Sequence, residues 1–201
     1  MLGLPTATEL NQQLPKKAIY AKFGMNAAQR EKFDADISRI YIVNEISPQT
    51  VKAVAATEEI PSFYVLLVSL KKRDYEERTI AQLSRLIPQK MLLVLEYQED
   101  CRLAVFETKL IQSTWQKTAD CRIALQGLDL GEVWQNVVAQ IGSIEIEEGR
   151  SLEEQIALDE RRAKLQKEIE RLEKQARAEK QPKKKLELAR KLQVLRADFE
   201  K

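Results

Sequence analysis

The chain has 201 residues, 44% hydrophobic and 32% charged, so one part can bury a core while another stays solvated. It contains no histidine, which excludes Ser-His-Asp and Cys-His catalysis, His-ligated zinc or haem, and imidazole general bases. The net charge of +2 is unevenly divided: residues 151–201 hold 15 Lys+Arg against 11 Asp+Glu, and residues 1–150 hold 18 against 20.

Two cysteines, Cys101 and Cys121, are too few for a Cys₄ zinc or iron–sulfur site within one chain. The stretch up to Lys17 carries Pro5 and Pro15 and lacks the apolar region of a signal peptide. The longest apolar runs, 65–68 and 91–95, fall far short of the ~20 residues a membrane helix needs. The expectation is a cytoplasmic protein with reduced thiols and no membrane partner.

In chain order, the polar lead-in ends at Leu14-Pro15, and Asn26 is placed to cap a helix running to about Ile37. Phe33, Ile37 and Ile40 share one face and point to a core. A strand over about 39–46 stops at Ser47-Pro48. Residues 63–70 (FYVLLVSL) are apolar on both faces, as in a central strand. Asp74 then reads as the cap of a helix carrying Tyr75, Ile80, Leu83, Leu86 and Ile87, with Pro88 as its stop. An apolar strand over 91–97, a turn at Gln98-Glu99-Asp100 and a strand over 102–110 read as a hairpin. Two more short strands are expected within 111–125, Trp115 on the first and Ile123 and Leu125 on the second. Asp129 caps a helix through Leu130, Val133, Trp134, Val137, Val138 and Ile141, which Gly142 ends.

This pattern predicts an α+β domain over residues 1–146, with a mostly antiparallel or mixed sheet of about five to six strands and packed helices. None of the six glycines falls in a GxGxxG or GxxxxGK pattern, so ATPase, GTPase and Rossmann dehydrogenase readings have little support and no cofactor is expected.

Residues 147–201 form a different object, a helical coiled-coil arm. Ser151 and Glu154 have the spacing of a capping box. Leu158, Leu165, Ile169, Leu172 and Ala176 form a heptad seam, and a second one, Leu188, Leu192, Leu195 and Phe199, follows a break at Pro182. The two seams are out of phase across Pro182. They come together if the arm is a hairpin; the alternative is a kinked helix that pairs with another chain, a second copy included. Lys183, Lys184 and Lys185 are candidates for salt-sensitive phosphate contacts. Glu153, Glu160, Glu168, Glu170 and Glu173 interleave with the arm's cations, and no aromatic residue lies among the three lysines to stack on a base.

Glu107 and Lys109 are the sharpest catalytic candidates. On one strand, Glu-x-Lys places both side chains on the same face, an arrangement used by Mg²⁺-dependent nucleases of the restriction type. The expected hairpin register sets Glu96 roughly 13 Å from Glu107, at ~3.3 Å per residue, too far to share a metal. The other outcome is a surface ion pair.

The opening Leu2-Gly3-Leu4-Pro5-Thr6-Ala7-Thr8-Glu9-Leu10-Asn11, the Leu14-Pro15-Lys16-Lys17 that follows, and Ile40-Tyr41 with Ile46-Ser47-Pro48-Gln49-Thr50 carry a resemblance. So do Leu86-Ile87-Pro88, the strand that follows it, Glu107-Thr108-Lys109 and Thr114-Trp115. Over about residues 2–142 the chain resembles the bacterial domain of unknown function 4391. The resemblance implies an accessory role in DNA processing, beside helicases and DNA methyltransferases of restriction-like or phage-defence loci. The leading expectation is a non-catalytic subunit docking such a partner through the seam of Leu158, Leu165, Ile169, Leu172, Leu188, Leu192 and Leu195. A nuclease using Glu107 and Lys109, and nucleic-acid binding through Lys183, Lys184 and Lys185, are the alternatives.

Overall fold

A computed structural model describes residues 2–145 and 151–199, which divide into two units at Glu145/Ile146. After a turn of 3₁₀-helix (Thr6–Thr8), the first unit runs β1 (Glu9–Gln13), α1 (Lys16–Lys22), α2 (Ala27–Asp36), β2 (Ile37–Ile46) and β3 (Phe63–Leu70). It continues with α3 (Glu77–Leu83), β4 (Lys90–Tyr97), β5 (Asp100–Phe106), β6 (Leu110–Gln112), β7 (Gln116–Lys117) and α4 (Leu130–Gly142). The second unit is α5 (Leu152–Ala178) and α6 (Pro182–Phe199).

The α+β class holds, on a mixed sheet of seven strands rather than five or six. Its order is β1-β2-β3-β4-β5-β6, with β7 added on β5. β3 and β4 run parallel through the α3 crossover, and the other neighbours are antiparallel.

Alternation along the central strands supplies two cores. Leu66, Val68 and Leu70 of β3 and Met91, Leu93 and Leu95 of β4 join Ile19, Phe33, Ile80 and Leu83 from the first three helices. On the other face Phe63 meets Trp134 of α4 edge-on, ring centroids 5.1 Å apart. A sheet covered on both sides explains why 63–70 and 91–95 read as continuous apolar runs.

Several boundaries differ from the sequence reading, each for a local reason. β1 lies in the polar lead-in, where all five residues are exposed and no apolar alternation marks a strand. α3 starts at Glu77 and ends at Leu83, so Tyr75, Leu86 and Ile87 lie outside it; Asp36, not Asp74, accepts the amide of its first cap residue. The hairpin turn is two residues, Gln98-Glu99, with Asp100 paired to Tyr97, and Gln98 takes the left-handed conformation at φ 56° that so short a turn demands. The returning strand stops at Phe106 instead of reaching Leu110. Trp115 lies between β6 and β7, and Ile123 and Leu125 lie outside any strand. Ser143, at φ 50°, terminates α4 in place of Gly142.

Both expected caps on the long helices are present: Asp129 accepts the Glu132 amide, and Ser151 and Glu154 form a reciprocal capping box. α5 ends at Ala178, and Pro182 opens α6, where its missing N–H costs nothing. α5 and α6 are in contact, and Arg196 near the end of α6 pairs with Glu173 near the end of α5 at 2.6 Å.

Candidate functional site

Because β5 ends at Phe106, Glu107 and Lys109 occupy a turn rather than one strand face, and the Glu107 amide donates to the Lys109 carbonyl at 3.0 Å. The Glu107 side chain, 11% exposed, is held at both oxygens. Lys90 donates to Oε2 at 2.6 Å, and the Trp134 indole N–H donates to Oε1 at 2.5 Å. The Lys90 ammonium also sits 5.8 Å from the Trp134 ring centroid. Glu107 thus ties the start of β4 to α4 across the sheet end. Glu96 faces Cys101 in the ladder, at least five residues from Glu107 along β5, or more than about 16 Å. Among the described residues no group of three or more Cys, Asp or Glu side chains converges to hold a metal ion.

The seam residues of the arm are unequal. Ile169 and Leu172 are buried, whereas Leu158, Leu165, Leu188, Leu192 and Leu195 are half-buried. Leu186 and Val194, outside the expected seam, are 56% and 62% exposed on α6. Lys183, Lys184 and Lys185 are exposed in the first turn of α6, and Lys184 lines a cleft with Gln175 and Leu188.

Cys101 and Cys121 are both free and buried, with Gln116 donating to the Cys121 sulfur at 3.2 Å. Burial, reinforced by Cys121 beside it, pushes the Cys101 thiol up to about 12, which suits an inert packed side chain rather than a nucleophile. Trp115 packs half-buried against the first core, with two guanidinium groups near its ring, Arg73 at 5.0 Å and Arg102 at 5.3 Å from the centroid.

One feature lay beyond sequence reading. Lys32 of α2 and Arg78 of α3 line a groove of about 690 Å³, and Arg85 just beyond α3 lines both it and a second groove that includes Lys22. These cations are scattered over more than sixty positions, so no charge run announces them; only the packing of α2 beside α3 gathers them.

An α+β unit on a mixed, doubly covered sheet, followed by a pair of long polar helices, defines the class of this protein. The chain belongs to the family described as Domain of unknown function (DUF4391), whose model matches residues 2–199. The match extends past residue 142 and takes in the arm. No curated protein and no solved structure matches the chain. No helix among the described residues is long and apolar enough to cross a membrane.

Proposed function

We propose that the chain is a non-catalytic accessory subunit whose helical arm docks a larger protein, of the kind a bacterial DNA-processing or defence complex contains, such as a helicase or methyltransferase. The observation that carries this reading is the apolar surface left on α6, where Leu186 and Val194 stand more than half exposed although the helix contacts α5. Exposed apolar side chains on an otherwise polar helix are what a partner's apolar groove would cover. The arm is read as a coiled-coil hairpin, supported by the Arg196–Glu173 pair that joins residues 23 apart. The saturated Glu107 carboxylate supports a holding role over a catalytic one. Free cysteines support a reducing, cytoplasmic setting.

The test is co-purification from native cells with the full chain and with the double substitution Leu186→Glu, Val194→Glu. The partner should be lost while circular dichroism stays unchanged. Undiminished co-purification overturns the docking role, and Mg²⁺-dependent DNA cleavage abolished by Glu107→Gln would restore the nuclease reading. Self-association lost in the same double variant would make the partner a second copy of the chain.

A further inference from the structure

The groove between α2 and α3 gathers cations from both helices and from the segment just after α3. Lys32, Arg78 and Arg85 are exposed along it, and Lys22 is exposed in the groove beyond Arg85. Among the described residues, none of these four cations makes an ion pair. Glu76 is the acid on the wall of the α2–α3 groove, and its amide is already tied to Asp36. Several other cations are paired: Lys16 with Asp34, Lys72 with Asp36, Lys117 with Asp100, and Lys90, on the wall of the second groove, with Glu107. Four uncompensated cations along two adjoining grooves form a concave positive field, which concentrates a polyanion.

The groove also offers flat apolar surface. Phe23 is half-buried on its wall, and half-buried Phe106 carries the Arg85 guanidinium 4.7 Å above its ring centroid. An acidic peptide would use the cations but has no need of ring faces. A nucleic acid with unpaired bases uses both, phosphates on cations and bases on aromatic rings or stacked guanidinium planes.

We propose that this groove binds single-stranded nucleic acid, with Lys22, Lys32, Arg78 and Arg85 on successive phosphates and a base set against Phe23. The site lies wholly within the first unit and goes beyond the docking role of the arm; neither depends on the other. It also differs from the Lys183–Lys185 cluster in having aromatic surface among its cations. Four phosphate contacts on a single strand give a slope of log affinity against log salt of about −3.

The experiment is fluorescence anisotropy of the full chain with a labelled thymidylate oligonucleotide of about 15 residues, at several salt concentrations. The triple substitution Lys32→Gln, Arg78→Gln, Arg85→Gln should weaken binding at least about tenfold and flatten the salt slope by about 2, with an unchanged melting profile. Phe23→Leu should weaken binding while leaving the slope alone, because it removes a ring and not a charge. Replacing Lys183, Lys184 and Lys185 with Gln should leave binding intact. The proposal is overturned if the unmodified chain shows no salt-dependent binding or if the triple variant binds equally well. It is overturned too if a duplex binds as tightly as the single strand, or if polyglutamate displaces the oligonucleotide charge for charge.

Discussion

The Asp36 carboxylate accepts a hydrogen bond from the Glu76 backbone N–H at 2.9 Å, so a residue ending α2 serves the start of a helix forty positions later. Its other oxygen takes the Lys72 ammonium at 2.8 Å, while the Asp36 carbonyl accepts the Lys71 amide. Asp36 is only 3% exposed, and three contacts fasten the segment leaving β3 to the end of α2. Asp36→Ala should therefore cost about 1–3 kcal/mol, the range for removing a buried acceptor whose donor partners remain. Urea denaturation measures it, and Asp74→Ala, the cap suggested by sequence, should change stability by less than about 0.5 kcal/mol.

Glu107 makes the equivalent tie at the opposite face. Glu107→Ala should destabilise the protein by about 2–3 kcal/mol, since it strands both the Lys90 ammonium and the Trp134 indole N–H. Glu107→Gln keeps one acceptor oxygen and should cost less. Equal stability of Glu107→Ala and the unmodified chain in urea would contradict the holding role.

Tyr20 donates to Asp34 at 2.6 Å, and Lys16 reaches the same oxygen at 2.6 Å. Burial first, then the Asp34 carboxylate, raises the Tyr20 phenol to about 12, against a weaker opposing pull from Arg30. Burial pushes the Asp34 carboxyl up, but the Lys16 and Tyr20 hydrogen bonds outweigh it and the net shift is downward. For Tyr20 the folded value lies above the unfolded one, so its contribution is complete below pH 10 and disappears between about pH 10 and 12. For Asp34 the contribution is present above its ordinary value near 4 and fades as pH falls below it. Tyr20→Phe should flatten the alkaline limb of the stability profile while leaving most of the acid limb, a difference readable in denaturation midpoints against pH.

Leu172 is 7% exposed and lies one turn from buried Ile169. Leu172→Asp sets a charge at a buried position of the arm's seam and should cost about 3 kcal/mol or more locally. Far-ultraviolet circular dichroism should show part of the helical signal melting early while tryptophan fluorescence, which reports Trp115 and Trp134 in the first unit, keeps its original transition. Coincident, unshifted transitions would mean that the seam carries no weight.

The legible parts of the sequence were those where one segment alone dictates the outcome. The Asp129 and Ser151 caps, the apolar runs of β3 and β4 and the break at Pro182 are all local signals, and each sits where it was expected. β1 was illegible because an exposed edge strand has no buried face to leave a pattern. The start of α3 misled because Asp74 stands two residues before the cap position, Glu76, whose amide is met by Asp36 instead. The Glu-x-Lys pair misled because the strand period applies only while the strand lasts, and β5 ends one residue before Glu107. The cations of the α2–α3 groove are brought together by tertiary packing, which no spacing rule encodes.

β1 has a further consequence for how the sheet keeps to itself. Its register with β2 slips between Glu9 and Gln12, where Asn11 adopts φ 50°, so the outermost ladder is kinked, and apart from Leu10 its side chains are polar. Beneath it lie Tyr41, Ile42 and Val43, half-buried, β-prone residues that would make a flat and sticky border if uncovered. An irregular polar hem over such a border refuses a strand from a neighbouring molecule, which needs an unbroken row of free backbone groups to zip onto. Whatever company this protein keeps, it does not recruit it by lengthening the sheet on that side.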